Sequence, residues 1–322
     1  MSLHLMTTLP TLATETQGDT NMSTLQNKID FAVILRVKNA NPNGDPLNSN
    51  RPRTNYENFG EITDVCIKRK IRDRLVERFV KLGGKDGKAE AKGQSVFVQS
   101  DDRKIDDATS LRDRAEKFFK SIGKTLGADE TVKLSSSEWI DVRAFGQLFA
   151  LSKKKGKKKE DGSDEEGDSG ISIGIRGPVT VQSAFSLVPI DITSTQITKS
   201  VNGEDTKDGK RSSDTMGMKH RVDQGIYVFY GSMNPQLAEK TKFSEEDAKA
   251  IKEILPKLFE NDESSARPAG SMEVLKVLWW KHNCKSGQYS SAKVHGSLKV
   301  QPDGKFELAK LDGLEPEPIE GF

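Results

Sequence analysis

Cysteine is nearly absent: the 322 residues contain two, Cys66 and Cys284, far apart in sequence. That excludes a CxxC-type zinc site and a disulfide framework of the kind exported domains use, and it points to a reducing, cytoplasmic location. Histidine is scarce too. The four present (His4, His220, His282, His295) share no metal-ligand spacing, so neither a structural metal nor a cofactor is expected. Long apolar runs are also missing. The longest, Phe31 to Leu35, stops at Arg36, far short of the ~20 residues that cross a bilayer, so no membrane partner is expected. The start of the chain lacks the charged head and unbroken apolar stretch of a secretory signal, which makes residues 1–27 a flexible extension with Met22 as an alternative initiator. Walker, GxGxxG, HExxH, GxSxG and EF-hand patterns do not occur, which removes the commonest nucleotide, metalloprotease, hydrolase and calcium chemistries. Net charge is only +2, because 50 Lys and Arg meet 48 Asp and Glu, so any affinity for nucleic acid must come from where the charges sit.

What is present is enough apolar sequence, 34% of residues, to build a core. Ile29 to Val37 is a buried strand that runs into Asn39-Ala40-Asn41-Pro42-Asn43-Gly44-Asp45-Pro46, a dense turn signal. Thr63-Asp64 caps a helix in which Ile67, Ile71, Leu75 and Phe79 recur every four residues until Gly83-Gly84. Residues 85–137 have weaker patterning, with a short strand at Val96-Phe97-Val98 and a helix near Leu111 to Ile122, and form an insertion. Ile171 to Ile175 and Val179 to Phe185 are strands, Gly225 to Gly231 and Leu275 to Trp280 two more, and Ala248, Ile251, Leu255 and Leu258 mark another helix behind the cap Ser244. Between them lie a charged, apolar-free loop at 153–170, too polar to offset its ordering entropy, and a polar excursion at 190–222. The order of elements is that of an α+β domain on an antiparallel ferredoxin-like sheet, closed by a C-terminal hairpin.

Three stretches carry candidate chemistry. The loop Asn41 to Asp45, followed by Arg51-Pro52-Arg53, offers amides, backbone N–H groups and two guanidinium groups to phosphates and sugar hydroxyls; the same residues also make an ordinary surface turn. The helix after Thr63 carries seven basic residues (Lys68, Arg69, Lys70, Arg72, Arg74, Arg78, Lys81) against Asp64, Asp73 and Glu77, and Lys68 and Arg72 share one face. That row either tracks phosphates or is a solvated surface. Met216-Gly217-Met218-Lys219-His220-Arg221 combines two methionines with cationic neighbours, an arrangement that can wedge a base step apart or merely fill a gap. Tyr227, Phe229, Tyr230, Trp279 and Trp280 are expected in the core rather than as a base-stacking platform, since no RNP1 pattern is present. His220 and His282 have no Tyr or carboxylate partner by spacing that would make them general bases.

Taken in order, Asn41-Pro42-Asn43-Gly44-Asp45, Arg51-Pro52-Arg53, Thr63 to Arg72, Asp141-Val142-Arg143-Ala144-Phe145-Gly146, Arg176-Gly177-Pro178-Val179, Thr215 to His220, Leu237 to Thr241 and Ser264-Ser265-Ala266-Arg267-Pro268 resemble the backbone subunit of type I-C CRISPR effector (Cascade) complexes, over about Asp30 to Val300. The resemblance implies a RAMP-superfamily fold: a modified ferredoxin-like or RRM palm, a helical finger insertion and a β-hairpin thumb. It divides the chain into palm at 28–84, finger at 85–137, palm again at 138–189, thumb at 190–222, and palm completion with a tail at 223–322. It implies copies of the chain wrapping one CRISPR guide RNA, each displacing a base and leaving the others to pair with target DNA, beside other type I-C Cascade subunits and a helicase-nuclease recruited by the complex. Carried over by position, Asn41, Asn43, Gly44, Arg51, Arg53, Lys68, Arg69 and Arg72 hold phosphates. Arg143 and Arg176 support the palm or touch RNA, Met216 and Met218 are the wedge, and Lys219, His220 and Arg221 flank it. No catalytic residue is implied. The rivals are a CRISPR-RNA-processing endoribonuclease of the same superfamily, which needs a positioned base such as His220, and a target-RNA-cleaving subunit that uses Asp45 with a metal.

Overall fold

The computed structural model of the chain describes residues 23–122, 128–151, 171–198 and 216–322. The first stretch holds β1 (Ile29–Ala40), β2 (Gly44–Asp45), β3 (Arg51–Pro52), β4 (Phe59–Ile62), α1 (Asp64–Lys81) and α2 (Leu111–Ser121). Then come α3 (Ala128–Glu138), α4 (Ile140–Phe145), β5 (Gly146–Leu151), β6 (Ile171–Arg176), β7 (Val179–Val181), β8 (Ala184–Pro189) and β9 (Ile192–Thr198). The last stretch contains β10 (Met216–Met233), α5 (Pro235–Thr241), α6 (Glu245–Ile254), β11 (Met272–Lys281), α7 (Ser291–Gly296), β12 (Leu298–Val300), β13 (Phe306–Leu308) and β14 (Glu317–Glu320). The charged loop at 153–170 and the middle of the 190–222 excursion lie outside the described residues.

The chain is α+β, built on an antiparallel sheet in the order β14-β11-β1-β10-β8-β4, with β7 and β9 also paired to β10. β1 is apolar on both sides because both sides are covered. Phe31, Val33 and Leu35 face a core shared with Tyr227, Phe229 and Trp279, and the Ile67, Ile71 and Leu75 stripe of α1 and Ala248 and Ile251 of α6 close it. Phe31 stacks on Trp279 with ring centroids 5.6 Å apart. Its ring also crosses Gly231, where an added Cβ would sit 2.1 Å from the Phe31 ring tip, so no larger residue fits. On the opposite face, Ala32, Leu278 and Trp280 pack under Val294, Leu298, Leu311 and Leu314 of the C-terminal segment. Tyr227, Phe229, Trp279 and Trp280 are buried and Tyr230 is partly so, as expected of core residues, while Phe185 of β8 is exposed.

The C-terminal segment is fastened by polar groups as well. The Gln288 amide donates to Nδ1 of His282 at 2.9 Å, so Nε2 of that ring carries the proton and donates to Asp30 at 2.9 Å. Burial alone would raise the Asp30 carboxyl, but hydrogen bonds from His282 and Ser291 and the nearby Lys28 ammonium outweigh it and hold the group at about 2. Burial pushes the neighbouring His295 imidazole down, and its ring stacks on Tyr230.

Three expectations need correction. Val96 and Phe97 are buried as a strand would be, but the Phe97 and Val98 N–H groups donate to the Asp141 carboxylate at 2.7 and 3.0 Å instead of to a neighbouring strand. The stretch from Val179 to Phe185 is not one strand: the chain leaves β7 at Gln182 and Ser183 before β8 begins. Finally, residues 23–27, placed with the flexible extension, are anchored. The Leu25 side chain is fully buried and its N–H bonds the Phe243 carbonyl at 2.9 Å.

Candidate nucleic-acid interface

The loop between β1 and α1 is shaped by asparagine. Asn39, Asn50 and Asn58 all take left-handed backbone conformations, which Asn tolerates better than most residues. The Asn41 side-chain amide donates to the Asn50 carbonyl at 2.6 Å, and its backbone N–H reaches the Ala266 carbonyl at 2.8 Å. Asn43 Oδ1 accepts from both the N–H and the hydroxyl of Thr63 at 3.0 Å, tying the loop to the N-cap of α1, where the Thr63 hydroxyl in turn accepts from Cys66 N. At Gly44 a Cβ would stand 3.1 Å from the Asn50 carbonyl oxygen, so the β2–β3 turn leaves little room for a side chain there. Asn41, Asn43 and Gly44 therefore build the loop first, and what they offer outward is its backbone. Asp45 accepts from Leu47 N through Oδ1 and pairs through the same oxygen with Arg53 at 3.3 Å, a turn-capping role. Among the described residues no three His, Cys, Asp or Glu are grouped to hold a metal.

Two buried polar atoms in this loop have no partner: Asn41 Oδ1, on a side chain only 7% exposed, and Arg53 Nε. Buried polar atoms without a partner are costly, and others occur among the described residues away from this loop, at Ser135, Ser136, Thr241 and Ser271. Arg51 behaves differently. Its Nη1 donates to the Ser194 hydroxyl at 2.9 Å, and it has no carboxylate partner among the described residues.

The row of cations on α1 is not free. Lys68 pairs with Asp64 at 2.9 Å, and Arg69 reaches Asp102 at 3.2 Å. Lys70 pairs with Asp262, and Arg78 lies 3.8 Å from Glu253. Arg72 donates through Nε to Asp141 at 3.0 Å and lies over the Phe145 ring, with its side chain 14% exposed. Asp141 thus receives Arg72 and two backbone N–H groups, and Arg72 belongs to the packing of α1 against α4. Arg72→Glu is expected to lower stability by about 2 kcal/mol, because it sets a second carboxylate against Asp141 in a partly buried site. Lys68→Glu, at a solvated i,i+4 pair, should change it by no more than about 0.5 kcal/mol. Chemical denaturation of the two variants compares them directly, and equal losses would contradict this placement of Arg72.

Arg143 is further inside. Nε and Nη2 donate to the two oxygens of Asp247 at 2.9 and 2.7 Å, Nη1 to the Ser136 carbonyl at 2.8 Å and Nη2 to the Gly93 carbonyl at 2.8 Å. Of the two roles expected for it, the geometry supplies the supporting one. Arg176, opposite Gly146 in the β5–β6 pair, is exposed.

The excursion at 190–222 contains a two-stranded arm, β9 paired with the front of β10. Pairing sets Met216, Met218 and His220 opposite Thr198, Gln196 and Ser194, while Lys219 and Arg221 alternate onto the other face opposite Thr195 and Thr193. Met216 and Met218 are 67% and 54% exposed, and Ile197 is exposed across from Gly217. Lys219 is exposed with no carboxylate partner among the described residues, and Arg221 is a loose 3.7 Å from Asp223. His220 is buried at the root of the arm, its Nδ1 2.8 Å from the Ser194 hydroxyl and its Nε2 without a partner. Both ring nitrogens of His282, the other histidine considered for base chemistry, are occupied within the fold.

The residue pattern alone does not mark β9, which only the hairpin thumb implied by the resemblance foresaw: most of Ile192 to Thr198 is solvent-exposed, so its alternation carries no burial signal. Ser194 has no local signature at all; it matters only because the fold brings residues 51, 194 and 220 together.

Together these elements define an α+β protein with helices over one face of its sheet and the C-terminal segment over the other, an ordered loop after β1 and a projecting arm. A family model described as CRISPR-associated protein Cas7 matches residues 27–314. The chain belongs to that family. A curated CRISPR-associated protein Cas7 from Haloferax volcanii is 25% identical over 292 residues, covering 90% of this chain and 80% of that one. Chains of two solved structures also align with it. One, described as a CRISPR RNA-guided surveillance complex, pre-nicking, gives a TM-score of 0.43 at 15% identity over 79% of this chain and 78% of that one. The other, a CRISPR RNA-guided surveillance complex, gives 0.44 at 15% identity over 86% and 77%.

Proposed function

We propose that this protein is the guide-RNA-binding backbone subunit of a CRISPR surveillance complex of the type I-C kind. Copies of it polymerise along one guide and present the guide's bases to target DNA. The observation that carries this reading is the meeting of the two open elements: Arg51 of the β1–α1 loop bonds Ser194 at the root of the arm that carries exposed Met216 and Met218. A cationic loop beside an apolar wedge suits a single strand held by its phosphates and opened at one base step. In this reading residues 28–84, 138–189 and 223–322 are the palm, 85–137 the finger and 190–222 the thumb. Arg51, Lys219 and Arg221 carry the phosphate contacts, aided by Arg53, Lys68, Arg69, Arg176 and the loop backbone, while Arg72 and Arg143 hold the scaffold. The subunit works in the cytoplasm without catalysing cleavage, alongside other subunits of the complex and a recruited helicase-nuclease. Purified with the products of its neighbouring genes, the protein is expected to carry RNA of one defined length. Protein free of nucleic acid, or carrying RNA of mixed lengths, would sink the reading.

A further inference from the structure

Ser194 stands where a side chain of the β1–α1 loop bonds the arm. Its hydroxyl oxygen accepts from Arg51 Nη1 at 2.9 Å and lies 2.8 Å from His220 Nδ1, its cross-strand partner. One small side chain thereby fixes the direction of a guanidinium group and ties it to a buried imidazole.

We propose that Ser194 is a positioning residue for RNA: it pins the Arg51 guanidinium at the thumb root, so that the N–H donors Arg51 does not use on Ser194 face a backbone phosphate at a set distance from the Met216–Met218 face. The inference rests on the guide-RNA reading above. An unpinned arginine has to be ordered when RNA binds, whereas a pinned one is ordered beforehand. The Arg51 charge is the same in both situations. Ser194 therefore adds affinity without adding to the count of phosphates neutralised, and this separates a positioning role from a charge role.

The test uses the full chain with a short synthetic single-stranded RNA, titrated over a range of salt concentrations. Ser194→Ala is expected to bind about two- to ten-fold more weakly, the cost of ordering one long side chain on binding, with an unchanged slope of log affinity against log salt. Ser194→Thr keeps the hydroxyl and should restore binding. Arg51→Ala should lower the slope by about 0.7, the value for one phosphate on a single strand. Because Ser194→Ala also takes the partner from Nδ1 of the buried His220, its unfolding temperature should fall slightly, and binding is compared well below the transitions of both proteins, which thermal unfolding fixes. Parental affinity in Ser194→Ala, or a threonine variant that fails to rescue it, overturns the proposal while leaving RNA binding intact. A parent protein that does not bind the RNA overturns the guide-RNA reading itself and this proposal with it.

Discussion

Arg143→Ala is expected to lower the free energy of unfolding by about 3–5 kcal/mol, the usual cost of leaving one member of a buried ion pair alone. The Arg143 and Asp247 side chains are 6% and 1% exposed, and the substitution strands the carboxylate. The damage spreads from there. Asp247 also accepts the Ser244 N–H in the capping box of α6, while Arg143 satisfies the carbonyls of Gly93 and Ser136, which lie in the insertion. A single guanidinium thus joins α4, the 85–137 insertion and the start of α6. Arg143→Lys should recover little, since an ammonium cannot span both carboxylate oxygens and two carbonyls at once. Chemical denaturation of RNA-free protein measures the effect. A loss below about 1 kcal/mol would mean that the pair is worth no more than a surface contact.

Charge counting along the sequence left out the partners that the fold brings to α1. The count set seven basic residues against the acids on the helix itself. Asp102, Asp141, Glu253 and Asp262 lie 30 or more residues from their partners Arg69, Arg72, Arg78 and Lys70, so no local window contains both members. The strands and helices with one apolar stripe were legible: β1, α1, α6 and β11 lie where their periodicity places them. The segments misread were those whose backbone or side chains answer to distant groups. Val96 to Val98 bond the Asp141 side chain, and Leu25 packs beside Phe243. The asparagine-rich loop was read either as ordinary turn chemistry or as a binding element. The structure accounts for the first: the Asn41 amide bonds the Asn50 carbonyl and Asn43 bonds Thr63, so these side chains hold the turn.

Tyr227, Phe229, Trp279 and Trp280 are enclosed here by α1, α6 and the C-terminal segment, which the Asp30 and His282 pair fastens to β1, while Phe185 of β8 stays exposed. Met216 and Met218 project beyond the sheet on one face of the arm, and in the guide-RNA reading their flexible thioethers would conform to whichever base they meet.

Removing the three open cations together should have the largest effect on RNA. For Arg51→Ala, Lys219→Ala and Arg221→Ala combined, the slope of log affinity against log salt is expected to fall by about 2, from about 0.7 for each phosphate of a single strand. At about 0.1 M salt the same counterion term amounts to a loss of about a hundred-fold in affinity. Stability should change little, because Arg51 bonds only a surface serine, Lys219 has no carboxylate partner among the described residues, and Arg221 is paired only loosely. The control is Lys68→Ala with Arg69→Ala. Those cations are already neutralised by Asp64 and Asp102, so releasing them from RNA contact should change the slope by less than the arm and loop variants do. A triple variant that keeps the parental slope would move the phosphate path away from the loop and arm. A control that loses more slope than the triple variant would move it onto α1.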